Sequence, residues 1–109
     1  MRILLAGLLL LSAPGVRAQV RAVVPAASAG ANRVHSPGVD AGDYVYISGQ
    51  GPRRPDSSLP ATFAAQARQA LDNVKSVVEA AGLTMEHVVY TQVYLEDIGK
   101  YSEMNVAFA

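Results

Sequence analysis

The sequence predicts an α+β domain, and three observations predict it. Residues 44–48 and 88–95 alternate aliphatic side chains with tyrosine, glutamine or hydroxyl side chains at the period of a strand. Between them, residues 63–81 repeat apolar side chains at steps of three and four, the period of a helix. A second helical pattern opens at Tyr101. The 109 residues suffice for one small domain. There is no cysteine, which excludes disulfides, thiolate zinc sites and a thiol nucleophile. Only two histidines are present, too few to expect a histidine-built metal site. The formal net charge is zero and no long run of one sign occurs, so nothing calls for nucleic acid as a partner.

Residues 1–18 read as a secretory signal peptide. Met1 and Arg2 give a positive start, residues 3–11 are unbroken Ile, Leu, Ala and Gly, and Ser12-Ala13-Pro14-Gly15 breaks the pattern. Val16-Arg17-Ala18 ends it with small or modest side chains. The apolar run is too short to span a bilayer, which needs about 20 residues. The alternative is a buried first strand or helix. Cleavage after Ala18 predicts a secreted or periplasmic protein with no membrane segment. It leaves seven basic against nine acidic side chains. A chain that short buries only about 60–65% of its unfolded surface, so a subunit interface is expected to supply more burial.

The elements follow in order. Residues 19–33 form an N-terminal strand and loop: 20–24 are strand-like, and 25–31 are Ala, Ser and Gly with one Pro. Residues 34–109 form the domain itself. Residues 33–39 are extended, with Pro37 favouring an edge or bulge. Residues 40–43, Asp-Ala-Gly-Asp, make a turn into the 44–48 strand, which closes a hairpin. Residues 49–60 carry two Gly and three Pro and form a loop. The helix then buries Phe63, Ala67, Leu71, Val74, Val78 and Ala81 and turns Gln66, Gln69, Asp72, Lys75 and Glu79 to the other side. Thr62 caps its start, and Gly82 suits a left-handed C-terminal cap. In the 88–95 strand, Val89, Thr91, Val93 and Leu95 share one face, and Val88, Tyr90, Gln92 and Tyr94 the other. Four tyrosines on two strands are a large patch to leave in water, so an oligomer interface is expected there; the alternative is a plain solvent-facing sheet. The second helix, with Tyr101, Met104, Asn105 and Phe108, meets the last residue after about two turns. Either it frays at a terminus or the chain is part of a longer protein, and the second is preferred.

Few residues point to chemistry. No phosphate loop, helix-borne His-Glu metal pair or nucleophile elbow is present. Ser48-Gly49-Gln50-Gly51-Pro52 is the most site-like stretch, because a serine at a strand end followed by glycines exposes a hydroxyl and backbone N–H groups. A plain strand exit would look the same. Arg53-Arg54 are able to hold a carboxylate or simply to be solvated. His35 is a candidate acid–base group and His87 reads as a surface residue.

Several stretches together resemble the Rid family, the reactive-intermediate (enamine/imine) deaminases also called the YjgF family. They are Ser36-Pro37-Gly38-Val39, Tyr46-Ile47-Ser48-Gly49-Gln50-Gly51-Pro52, and Gln66-Ala67-Arg68-Gln69-Ala70-Leu71-Asp72-Asn73-Val74-Lys75. Glu79-Ala80-Ala81-Gly82-Leu83, Val93-Tyr94-Leu95-Glu96-Asp97 and Tyr101-Ser102-Glu103-Met104-Asn105 complete the set. Their order and spacing hold from Val34 to Ala109. The resemblance implies a chorismate-mutase-like fold, a mixed sheet with two helices on one face, here without its C-terminal strands. It implies a homotrimer with ligand clefts between subunits. It also implies hydrolysis of 2-imino or enamino acids to 2-oxo acids and ammonia without a cofactor. His35, Ser48, Gly49 and Asn105 match cleft positions and are the expected substrate-binding residues, with His35 standing where the family often has tyrosine. The family's carboxylate-binding arginine and water-activating glutamate match no residue here, so the catalytic residues are expected beyond Ala109. An imine deaminase in its complete form and a catalytically silent trimeric binding module both remain open.

Overall fold

The computed structural model describes residues 19–30 and 34–109. The expected signal segment and its cleavage site lie outside these residues, as do Ala31 to Arg33. Three short strands, β1 (Arg21–Val23), β2 (Gly38–Asp40) and β3 (Val45–Ile47), form a sheet in the order β1-β2-β3. Helix α1 (Phe63–Ala80) and helix α2 (Tyr101–Phe108) pack against each other, and α1 also meets β3. The fold is α+β as expected. Every strand pairing among the described residues is antiparallel.

The hairpin forms where the sequence places it. Gly38 faces Ile47 and Asp40 faces Val45 across the ladder. The turn closes through Ala41 N–H donating to the Tyr44 carbonyl, with Gly42 at φ 94°, a conformation that favours glycine. Asp40 stands directly opposite Arg21 on β1, and its Oδ2 accepts from the guanidinium at 3.0 Å. The Gly42 N–H first, and the Arg21 guanidinium second, hold the Asp40 carboxyl below its ordinary value. Stability from this group is therefore present above the ordinary carboxylate range and fades as pH falls through the lowered value.

Helix α1 carries both expected caps. The Thr62 hydroxyl accepts from Ala65 N–H at 3.3 Å. At the other end Leu83 N–H donates to the Val78 carbonyl, Gly82 N–H donates to the Glu79 carbonyl, and Gly82 has φ 77°. That pair of bonds is the Schellman termination, which needs glycine at this position. The core of the described residues is Val23, Val77, Val78, Met104 and Ala107, and Pro25, Pro37 and Pro60 are buried as well. Val77 is the most enclosed, at 2% exposure, although the face predicted from spacing omits it. The reason is β2: a Cβ on Gly38 would lie 2.7 Å from Val77 Cγ1, so the helix rests directly on the glycine. In α2 the buried pair is Met104 and Ala107; Tyr101, Asn105 and Phe108 are exposed. A turn of 3-10 helix (Ile98–Lys100) leads into it, held by Asp97 Oδ1 accepting from Gly99 N–H at 2.8 Å. Lys100 bonds Glu103 at 2.8 Å and lies 5.6 Å from the centre of the Phe63 ring, which ties the start of α2 to the start of α1.

Residues 88–95 differ from expectation. They form no ladder with any other described segment, and Val89 is as exposed as Tyr94, at 83%. Alternation makes a segment able to join a sheet, but a strand exists only when a neighbour accepts and donates along its edge. No described segment does so here.

Candidate functional site

The end of β3 and the segment entering β2 are joined at Ser48. Its N–H donates to the Pro37 carbonyl at 2.9 Å, extending the hairpin ladder by one step. Its hydroxyl donates to the same carbonyl at 3.0 Å. Gln50 Nε2 donates to the Ser48 carbonyl at 3.0 Å and reaches Ser48 Oγ at 3.2 Å. The hydroxyl proton is therefore committed, and what Ser48 Oγ can offer a ligand is its remaining lone pair. Among the described residues no base bonds the Ser48 hydroxyl, whose proton goes to the Pro37 carbonyl.

His35 lies two residues before Pro37 and is exposed. It lines an open cleft of about 370 Å³ with Val24, Ser28, Gly30, Val34, Ser36 and Pro37. Gly49 follows Ser48 and is exposed, and a Cβ built on it or on Gly51 would meet no atom within 4 Å. Neither glycine has a left-handed φ. Their smallness is thus not demanded by the backbone or by packing within the described chain. Asn105 is exposed on α2. The cleft that His35 lines takes in Pro37 but not Ser48, Gly49 or Asn105; Ser48 reaches this segment only through its bonds to the Pro37 carbonyl.

The loop after Ser48 rests on side chains that helical spacing alone turns to solvent. Asn73 Nδ2 donates to the carbonyls of Gly51 and Arg53, each at 2.8 Å. Asn73 Oδ1 accepts from Gln69 Nε2 at 3.0 Å, and Gln66 Nε2 donates to the Pro60 carbonyl at 2.8 Å. The sequence signal was available as amides at spacings of three and four on one helix. Arg53 and Arg54 bond Ser57 and Ser58 within the loop. Asp56 is held below its ordinary pKa, chiefly by its side-chain bond from Ser58. His87 is a local cap: its Nδ1 lies 3.2 Å from the Thr84 N–H that donates to it. Among the described residues no three His, Cys, Asp or Glu side chains converge as metal ligands would.

Comparison with known proteins agrees with this architecture. The pattern of the family described as Endoribonuclease L-PSP matches residues 16–109. A 2-iminobutanoate/2-iminopropanoate deaminase of Escherichia coli K12 is 46% identical over 72 residues, which is 65% of this chain and 56% of that protein. A RutC family protein of Pyrococcus horikoshii is 34% identical over 77 residues, 69% of this chain and 61% of that protein. The chain thus spans little more than half the length of these curated relatives. The crystal structure of the YjgF gene product of E. coli superposes with a TM-score of 0.75 at 38% identity, covering 81% of this chain and 70% of that one. E. coli TdcF, solved with bound serine, superposes with a TM-score of 0.69 at 34% identity, covering 79% and 65%. With the sheet, the two helices and the matched pattern in agreement, the chain belongs to the Rid/YjgF (L-PSP) family.

Proposed function

We propose that the complete protein is an exported imine deaminase. The observation that carries this reading is the 46% identity to a 2-iminobutanoate/2-iminopropanoate deaminase. In such a reaction water adds to the C=N carbon of a 2-imino acid, ammonia leaves, and a 2-oxo acid remains. His35, Ser48, Gly49 and Asn105 are the proposed substrate-binding residues. In this scheme Ser48 Oγ accepts a hydrogen bond, His35 donates or accepts one at the cleft edge, and Gly49 leaves room for the substrate backbone atoms. An arginine would fix the substrate carboxylate in a bidentate contact and a carboxylate would activate the water. No residue of the 109 is assigned either role. An endoribonuclease, which the family description names, is a weaker reading. Residues 19–109 are net acidic, and Arg21, Lys75 and Lys100 are each paired with a carboxylate.

The proposed assembly is a homotrimer. Exposed apolar side chains support it: Tyr44, Tyr46, Val89, Tyr90 and Tyr94 are all more than half exposed. A silent binding module is the second reading. It is favoured by a solved relative that holds serine.

Two experiments test these proposals. The first measures ammonia and 2-oxo acid release from imino acid made in situ by an amino-acid oxidase, using the protein of the complete gene beside residues 19–109. Release by the complete protein alone is expected. His35→Ala is expected to raise KM several-fold, the worth of one neutral hydrogen bond of about 0.5–1.5 kcal/mol, with little change in Tm. A complete protein that binds 2-oxo acids without turnover would establish the binding module instead. In the second, intact-mass analysis of protein exported by a bacterial host is expected to show a chain beginning at Gln19. Soluble exported protein retaining Met1 would overturn the signal peptide.

A further inference from the structure

We propose that Gln66, Gln69 and Asn73 form an amide clamp that sets the loop after Ser48, with Asn73 as its positioning residue. The proposal rests on the reading of Ser48 and Gly49 as ligand-facing. Its starting observation is how little else holds the loop. Among the described residues, no backbone–backbone hydrogen bond ties residues 49–53 to any other element. Neither Gly49 nor Gly51 has a left-handed φ, and neither has a neighbour where a Cβ would stand, so sterics do not fix the path either. The positive φ of the loop is at Ser57, in the outer turn that Arg54 and Ser58 close on themselves.

The helix supplies what the loop lacks. Both N–H groups of the Asn73 amide are spent on the loop, one on Gly51 and one on Arg53, across 22 and 20 residues of chain. The orientation of that amide is fixed by its other end, because Gln69 Nε2 donates to Asn73 Oδ1. Turning the amide over would set oxygen against two carbonyls and nitrogen against nitrogen. Gln66 grips the far end of the loop at Pro60. Positions 66, 69 and 73 lie on one face of α1, about 10 Å from first to last at 1.5 Å per residue. The amides therefore hold both ends of the loop while its middle projects outward. Gln50 carries the same order back to Ser48, since its Nε2 bonds the Ser48 carbonyl and hydroxyl. A shift of Gly51 would move Gln50, and with it the lone pair that Ser48 presents.

Asn73→Asp tests this with almost no change of shape. It replaces two donors with an oxygen that faces two carbonyls, and Gln69 still has an acceptor to bond. Asn73→Ala is the second variant. Trypsin reports the loop directly, because the Arg53–Arg54 bond is cleavable whereas Arg54–Pro55 is blocked by proline. Both variants are expected to be cut at Arg53 at least 10-fold faster than wild type, while amide exchange in α1 and the hairpin stays protected. In the deaminase assay on the complete protein, KM is expected to rise at least 10-fold with kcat within 2-fold, and binding of 2-oxobutanoate to weaken in parallel. An unchanged cleavage rate overturns the clamp. Faster cleavage with unchanged KM and unchanged 2-oxobutanoate binding overturns its positioning role. A wild-type protein with neither turnover nor 2-oxobutanoate binding counts against the deaminase reading, and the cleavage rates alone then decide the clamp.

Discussion

Replacing Tyr90 and Tyr94 together with aspartate is expected to shift the proposed trimer of the complete protein toward monomer in sedimentation. Both side chains are largely bare in the single chain, at 77% and 83% exposure. Tyr46 on β3 and Tyr44 just before it are exposed as well, with ring centroids 6.5 Å apart and planes tilted by 51°. Such rings are apolar bodies with a polar tip, the composition found at subunit interfaces. Covering one aromatic side chain is worth about 1.5–3 kcal/mol, so the pair accounts for about 3–6 kcal/mol per interface. At 1.4 kcal/mol per decade that is about two to four orders of magnitude in the association constant. Two buried carboxylates without partners would add a desolvation penalty on top. The fold of the single chain should persist, because neither tyrosine belongs to its buried core. Circular dichroism therefore separates dissociation from unfolding. A trimer of unchanged stability would place the interface on another face.

The same residues show where sequence patterning stops. Helix α1 was legible because its information is local: spacing gives the helix, Thr62 the first cap and Gly82 the last, although of the six side chains expected to be buried only Val78 is fully so and the other five are half-buried. The hairpin was legible for the same reason, through Asp40 to Asp43 and the alternation of β3. The 88–95 segment has the strand pattern and no described partner, because alternation records which residues could face a core and not what lies across the edge. Val77 was missed because its burial is set by a strand some forty positions away, at Gly38. At the candidate site, alternation puts Ser48 at the end of β3, but the bond that commits its proton to the Pro37 carbonyl depends on tertiary placement, and the cleft that His35 lines does not include Ser48. Gln66 and Gln69 looked like solvated polar residues because helical spacing alone cannot distinguish water from a loop as their partner, and Asn73 was assigned to neither face.

Gly38→Ala is expected to destabilise the chain by about 1–3 kcal/mol, the usual cost of forcing a methyl group into a filled core. Two effects compete at this position. Removing a glycine from a strand lowers the entropy lost on folding and favours the variant by about 0.5–1 kcal/mol. Against that, the added Cβ would lie 2.7 Å from Val77 Cγ1, and 3.4 Å from both the Tyr46 carbonyl oxygen and Val23 Cβ. The clash wins because neither side has an easy way to yield. Gly38 is on the central strand, paired with Val23 on one side and Ile47 on the other. Val77 is buried in α1, where a β-branched side chain has one strongly preferred rotamer. Relief requires α1 to lift from the sheet, which opens the packing around Val78 as well. For a domain of this size each kcal/mol lowers Tm by about 4–8 °C, so calorimetry resolves the loss. Val77→Ala alone should also destabilise, by vacating the space that Gly38 leaves open to it. The double variant is expected to be less destabilised than the sum of the two, since the shortened side chain at position 77 makes room for the methyl group added at position 38. Strict additivity would show that the glycine and the valine do not meet, and α1 would then need another reason to sit on β2.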